Sequence, residues 1–263
     1  MPPILPGGNG SGARRVDATM QIEIWSDVVC PWCYLGKRHF EQALERFPHR
    51  DEVEVIYRSF ELDPSAPPGV TTPTAEMLAG KYGLGLEQAR ETQRQMEQRA
   101  AQAGLTFRMA DLRSGSTRDA HRLLQLAKAR GRQAELAERL HRAYFTDQAS
   151  IFDHPSLAGF AADVGLDRDE ALAVLASDQY GQAVQADEEV AHSLGVTGVP
   201  FFVIDRRYGI SGAQPAETIA QVLEQVWAEH LNGEFEAKDV EATLATTGTT
   251  SSLPGPKICS RRR

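Results

Sequence analysis

The chain has little cysteine: three residues, Cys30, Cys33 and Cys259, among 263. Three are too few for the disulfide framework that holds small secreted domains together. A long apolar run is also missing. None approaches the roughly 20 residues that span a bilayer, so no membrane is expected as a partner. Nor is there an excess of positive charge. The formal net charge is -8, which argues against a nucleic-acid partner, and Arg14-Arg15 and Arg261-Arg262-Arg263 read as solvated ends. The stretch Met1–Gly12 lacks the basic region and apolar core of about 7–15 residues that make a secretory signal. The expected location is the cytoplasm. No period of about 20–50 residues recurs, which excludes a solenoid.

What remains is ordinary globular material, 41% hydrophobic and 24% charged, organised around Cys30-Pro31-Trp32-Cys33. Before this pair, Met20 to Asp27 alternates like a strand. After it, Phe40, Ala43, Leu44 and Phe47 fall on one face of a helix. Two thiols at a strand-to-helix junction place the first sulfur over the helix start, where unpaired N–H groups and the helix dipole favour an anion. In such settings a cysteine pKa can fall from about 8.5 to roughly 3.5–7.5. In a reducing compartment a close pair is catalytic or metal-binding rather than structural. Zinc needs four ligands. Cys259 lies far off in a tail, and His39 and His49 show no paired spacing, so no metal and no cofactor is expected. Thiol–disulfide exchange is the chemistry the pair points to.

Along the chain, Glu52–Phe60 reads as a second strand, giving a βαβ unit with parallel strands. Asp63-Pro64 to Gly69 ends it in proline-fixed turns. From Pro73 to Leu194 helical spacing takes over. Helices are predicted over 74–82 and 86–103, around Ala120–Ala127 and Leu136–Tyr144, and from Pro155 to Val164. A short one starts at Asp167-x-x-Glu170, which resembles a capping box. The last carries Ala183, Asp187, Val190 and Leu194. Strands return at Val199–Ile204 and Tyr208–Ser211 around a turn at Asp205, and Gln214-Pro215 opens a final helix. The order β–α–β, helices, β–β–α predicts an α/β core interrupted by an all-helical insertion. The expected organisation is a flexible extension over 1–19, a core from 20–70 and 195–232, the insertion over 71–194, and a tail over 233–263, disordered at its end.

With Cys30-Pro-Trp-Cys33 after the first strand and Gly198-Val199-Pro200 before the third, this order resembles the thioredoxin superfamily. The helical insertion makes it most similar to the DsbA family. Ile24 to Arg38, Val196 to Phe202 and Ile210 to Pro215 resemble its FrnE-like branch. The resemblance implies a thioredoxin-like fold and a protein disulfide oxidoreductase or isomerase. Cys30 would attack, from the exposed side of the helix, and Cys33 would resolve the mixed disulfide. It implies a cis Val199–Pro200 bond facing the thiols, although Pro200 by itself reads equally as a strand-start proline. Val199 and Gly198 would take a substrate strand by backbone pairing, and Trp32 would offer a contact surface.

The turn Ser211–Gln214 could bind an anion such as a glutathione carboxylate, or be an ordinary helix start. Asp27 reads either as an influence on the proton balance of Cys33 or as a turn carboxylate. His121, His141 and His192 read as surface or packing residues. Expected partners are protein or low-molecular-weight disulfides and thiols, glutathione included; both monomer and dimer stay open. A rival reading comes from the related 2-hydroxychromene-2-carboxylate isomerases, glutathione-dependent enzymes whose counterpart of Cys30 is a serine.

Overall fold

Sequence alternation and helical periodicity fix the order of elements in the computed structural model, which describes residues 19–231. The expectations for the extension, the tail and Cys259 lie outside these residues. Strand β1 (Met20–Ser26) pairs in parallel with β2 (Val53–Ser59) and antiparallel with β5 (Phe201–Ile204), which pairs with β6 (Tyr208–Ser211). The sheet order is β2-β1-β5-β6. Helix α1 (Pro31–Arg46) joins β1 to β2, and α9 (Ala216–Leu231) packs beside α1. Between β2 and β5 run the two-residue strands β3 (Thr72–Pro73) and β4 (Arg113–Ser114), which pair with each other. The same stretch holds α2 (Thr74–Tyr82), α3 (Leu86–Gln102), α4 (Arg118–Ala129), α5 (Gln133–Phe145), α6 (His154–Asp163), α7 (Arg168–Leu175) and α8 (Gly181–Ser193). Among the described residues no helix is long and apolar enough to cross a membrane.

The central strand β1 is buried on both faces, as expected where helices cover a sheet. Met20, Ile22 and Ile24 point into a core that continues through Phe40 and Phe202 to Leu123, Leu140 and Phe145. The helical segment therefore shares its core with the sheet. On the opposite face Trp25 joins a smaller cluster with Phe60, Val199, Phe201 and both thiols. The β5–β6 hairpin turns through the three residues Asp205, Arg206 and Arg207, with Asp205 and Arg206 at positive φ and the Arg207 N–H bonded to Ile204 O at 3.0 Å. Asp205 fastens the turn. Its carboxylate accepts the Gln21 N–H at 2.8 Å and contacts His230 Nδ1 at 2.8 Å.

Two side-chain roles differ from the sequence expectation. Asp167 caps α7 by accepting the Glu170 N–H at 2.7 Å, but the Glu170 carboxylate pairs with Arg130 instead. The inward face of α8 is Val184, Asp187 and Ala191, and Val190 is 46% exposed. Asp187 sets that rotation. Its carboxylate accepts from Arg58 at 2.9 Å, the Ser59 N–H at 2.9 Å and Gln125 Nε2 at 2.6 Å. A buried charge held by three donors outweighs one valine left in water.

Candidate functional site

Cys30 is the N-cap of α1, with extended backbone angles, and Pro31 occupies the first helical turn, where a missing N–H costs nothing. The turn is tied together by Cys30 N–H to Asp27 O at 3.1 Å and Cys33 N–H to Cys30 O at 3.0 Å. Both cysteines are free thiols. Cys30 Sγ lies 3.6 Å from the carbonyl oxygen of Val199, and Cys33 Sγ lies 3.5 Å from the Asp27 N–H. The Val199–Pro200 peptide is cis. Helix α1 meets that loop at Gly36. A Cβ there would sit 2.8 Å from Pro200 Cγ and 3.4 Å from Ala213, so only glycine permits this approach.

The expected exposure of Cys30 is corrected. It is 0% exposed and Cys33 is 2% exposed, both packed with Trp25, Phe60 and Val199. The expected lowering of its pKa is corrected as well. The Cys30 thiol is pushed up, first by its hydrogen bond with Cys33, then by burial and the Cys33 charge, with Asp27 adding to the rise; the Cys33 N–H opposes them. The helix start does supply a donor, but burial and a second thiol at hydrogen-bond range outweigh it.

Trp32 is half-buried, with the Arg99 guanidinium 5.6 Å from its ring centroid. Gly198 is buried beside Val199. Ser211 and Gln214 are exposed. Within their turn the Gly212 N–H bonds Pro200 O at 2.8 Å and the Gln214 N–H bonds Gly212 O at 3.0 Å. Two of the N–H groups expected to hold an anion are thus already engaged, while the Gln214 carbonyl contacts His39 Nδ1 at 2.8 Å. Beside the thiols a cavity of about 690 Å³ opens between Asp27, Val29 and Pro31 on one side and α2, Met109 and Phe145 on the other.

Below the thiols lies a buried polar network that the sequence reading missed. Asp27, 1% exposed, accepts the Leu62 N–H at 2.8 Å and lies 3.3 Å from Nε2 of His121, also 1% exposed. Burial alone would hold the imidazole neutral. The Asp27 hydrogen bond and charge, with the charges of Glu61 and Glu188, outweigh it and raise the His121 pKa. Glu61, also buried, is raised by burial, against the pull of His121 and Arg118. The sequence signals were Asp27 just before the cysteines and a histidine on α4 beside the apolar positions Ala120 and Leu124, with nothing to pair them. On the other flank Tyr34 stacks on His141 at 4.9 Å and donates to Glu138 at 2.8 Å, and buried Lys37 bridges Glu41 and Glu138. These contacts lock α1 to α5.

A family model described as a DSBA-like thioredoxin domain matches residues 21–224. The chain belongs to this family. The crystal structure of a probable DsbA oxidoreductase from Streptomyces coelicolor is 46% identical, with a TM-score of 0.78 over 93% of this chain and 100% of that one. Two more distant structures share the fold. A 2-hydroxychromene-2-carboxylate isomerase is 14% identical (TM-score 0.60; 81% of this chain, 98% of that one). A cytosolic disulfide reductase from Pseudomonas aeruginosa, in a crystal with glutathione, is 18% identical (TM-score 0.55; 78% of this chain, 98% of that one). The family acts on thiols and disulfides, and this chain carries two free thiols at the start of α1, just after β1.

Proposed function

We propose that the protein is a thiol–disulfide oxidoreductase in which Cys30 attacks a substrate disulfide and Cys33 resolves the mixed disulfide. The observation that carries this reading is the pair of free thiols on the first turn of α1, with Cys30 Sγ 3.6 Å from the carbonyl of Val199. A Cys30 thiolate forms an S–S bond with one substrate sulfur and the other leaves as a thiolate. Cys33 then loses its proton and displaces the first substrate sulfur, closing the Cys30–Cys33 disulfide. The couple works toward the reducing end. A strongly oxidising couple is one whose reduced form is stabilised, and here burial and the Cys33 contact disfavour the Cys30 thiolate.

The substrate strand lies along Gly198 and Val199 at the Pro200 loop, with Trp32, Ser211 and Gln214 as outer contacts. Glutathione or a similar thiol recycles the disulfide, in the cytoplasm, where such thiols keep dithiols reduced. The core from 20–70 and 195–232 supplies the thiols and loop, and the insertion over 71–194 walls the cavity.

The cavity of about 690 Å³ favours a second reading, isomerisation of a small aromatic acid with glutathione. That chemistry does not need two thiols. Substituting Cys30→Ser separates the two: the redox reading expects loss of insulin disulfide reduction, with Cys33→Ser accumulating mixed disulfides. Full reductase activity in Cys30→Ser, or glutathione-dependent turnover of a chromene carboxylate by it, would favour the rival.

A further inference from the structure

The Asp27 carboxylate is buried within two contacts of both thiols. Its own backbone N–H lies 3.5 Å from Cys33 Sγ, its carbonyl accepts the Cys30 N–H, and its side chain meets His121, its one histidine, lysine or arginine partner among the described residues, at 3.3 Å. His121 arrives on α4, outside the strand–helix unit that holds the cysteines. A buried carboxylate without a counter-charge is costly and would repel a thiolate forming beside it. Among the described residues Nδ1 of His121 has no hydrogen-bond partner, so the ring's polar contact is the one with Asp27.

We propose that His121 is a positioning residue for the Cys30–Cys33 couple: it balances the Asp27 carboxylate beside the thiols, and this pair sets the redox poise of the site from the helical segment. The inference rests on the reading of Cys30 and Cys33 as a redox couple. Other charged groups face the pair from each side. Glu61, after β2, and Glu188, on α8, both act on His121; Arg118 at the start of α4 lies 3.4 Å from Glu61. Arg58 and Tyr57 of β2 line a cavity of about 10 Å³ with His121. The Asp27 charge adds to the forces that favour the protonated form of Cys30, and the charge on His121 moderates it.

Two conservative substitutions move the poise in opposite directions. Asp27→Asn keeps an acceptor for the Leu62 N–H but removes the negative charge nearest the sulfurs. It eases thiolate formation and makes the couple more oxidising. His121→Gln keeps a donor toward Asp27 but removes the positive charge, leaving the carboxylate unbalanced. It hinders thiolate formation and makes the couple more reducing.

The experiment equilibrates full-length protein with glutathione buffers. Two glutathione thiols supply two electrons and two protons, the Cys30–Cys33 bond breaks, and one glutathione disulfide forms. Each variant is expected to shift the equilibrium constant roughly tenfold, or about 30 mV, with the pH profile of iodoacetamide alkylation shifting in the matching sense. Shifts of the same sign in both variants, or no shift in either, would overturn the inference. An unmoved potential in His121→Gln overturns it even where Asp27→Asn shifts, and His121→Asn, with the same required sign, stands in should His121→Gln fail to fold. A wild-type protein that does not exchange with glutathione would instead sink the redox reading itself.

Discussion

Gly36 and Pro200 touch across the site. The hydrogen of one stands where any Cβ would come within 2.8 Å of the ring of the other. Gly36 lies inside α1, where glycine normally costs about 1 kcal/mol relative to alanine, so a purely helical argument says alanine should stabilise. Overpacking against a proline ring costs about 1–3 kcal/mol. Gly36→Ala is therefore expected to lower the urea midpoint and to reduce disulfide reductase turnover as the loop moves away from Cys30. A more stable, fully active variant would show that the close approach is not needed.

The protonation of Cys30 gives a kinetic prediction. Its thiol is pushed up from the ordinary value, so at neutral pH it is protonated as well as buried. Alkylation of Cys30 by iodoacetamide should be slower than that of a free cysteine. It should climb by about tenfold per pH unit through the neutral and alkaline range, following the thiolate fraction. A rate that levels off in mildly acidic buffer would mean that the helix start dominates after all.

Acid stability should depend on His141. Burial, with Lys37 nearby, lowers its pKa to about 4, while an unfolded histidine titrates near 6.5. Between those values the unfolded chain binds the extra proton, so stability falls as pH drops through this window, by up to ~3 kcal/mol. His121 acts in the opposite sense. Its raised pKa adds stability below the unfolded value, which is lost as pH rises through the folded one. Replacing His141 by phenylalanine keeps the stack on Tyr34 and removes the titration. The variant should lose less stability than wild type between neutral and acidic urea melts. An unchanged acid limb would place the sensitivity elsewhere.

Much of the fold was legible because its periods are unambiguous. The alternation in Met20–Ser26 and the helical spacing of Phe40 and Ala43 follow from where each side chain must be buried. The thiols and Pro200 were legible as motifs. What was not legible came from distance in sequence and from burial of polar groups. The β3–β4 pairing joins Thr72 to Ser114 by only two residues on each side, too short for any alternation to register. Val190, expected with Asp187 on one face of α8, turned outward because the donors from β2 and α4 that hold Asp187 reach α8 only in three dimensions. Asp27 and His121 lie 94 positions apart, and a polar residue beside an apolar stripe does not reveal its partner. The same blindness hid the lid over Cys30. Spacing located the sulfur at a helix start, whereas Phe60 and Val199, which help to bury it, come from other elements.

The reduction potential of the Cys30–Cys33 couple in the wild-type protein tests the central claim most directly. Trp32, half-buried beside the thiols, provides a fluorescence signal to follow against glutathione buffers. The account predicts one two-electron transition toward the reducing end, nearer about -270 mV than about -120 mV. Failure to form a Cys30–Cys33 disulfide, or a potential at the oxidising end, would contradict it.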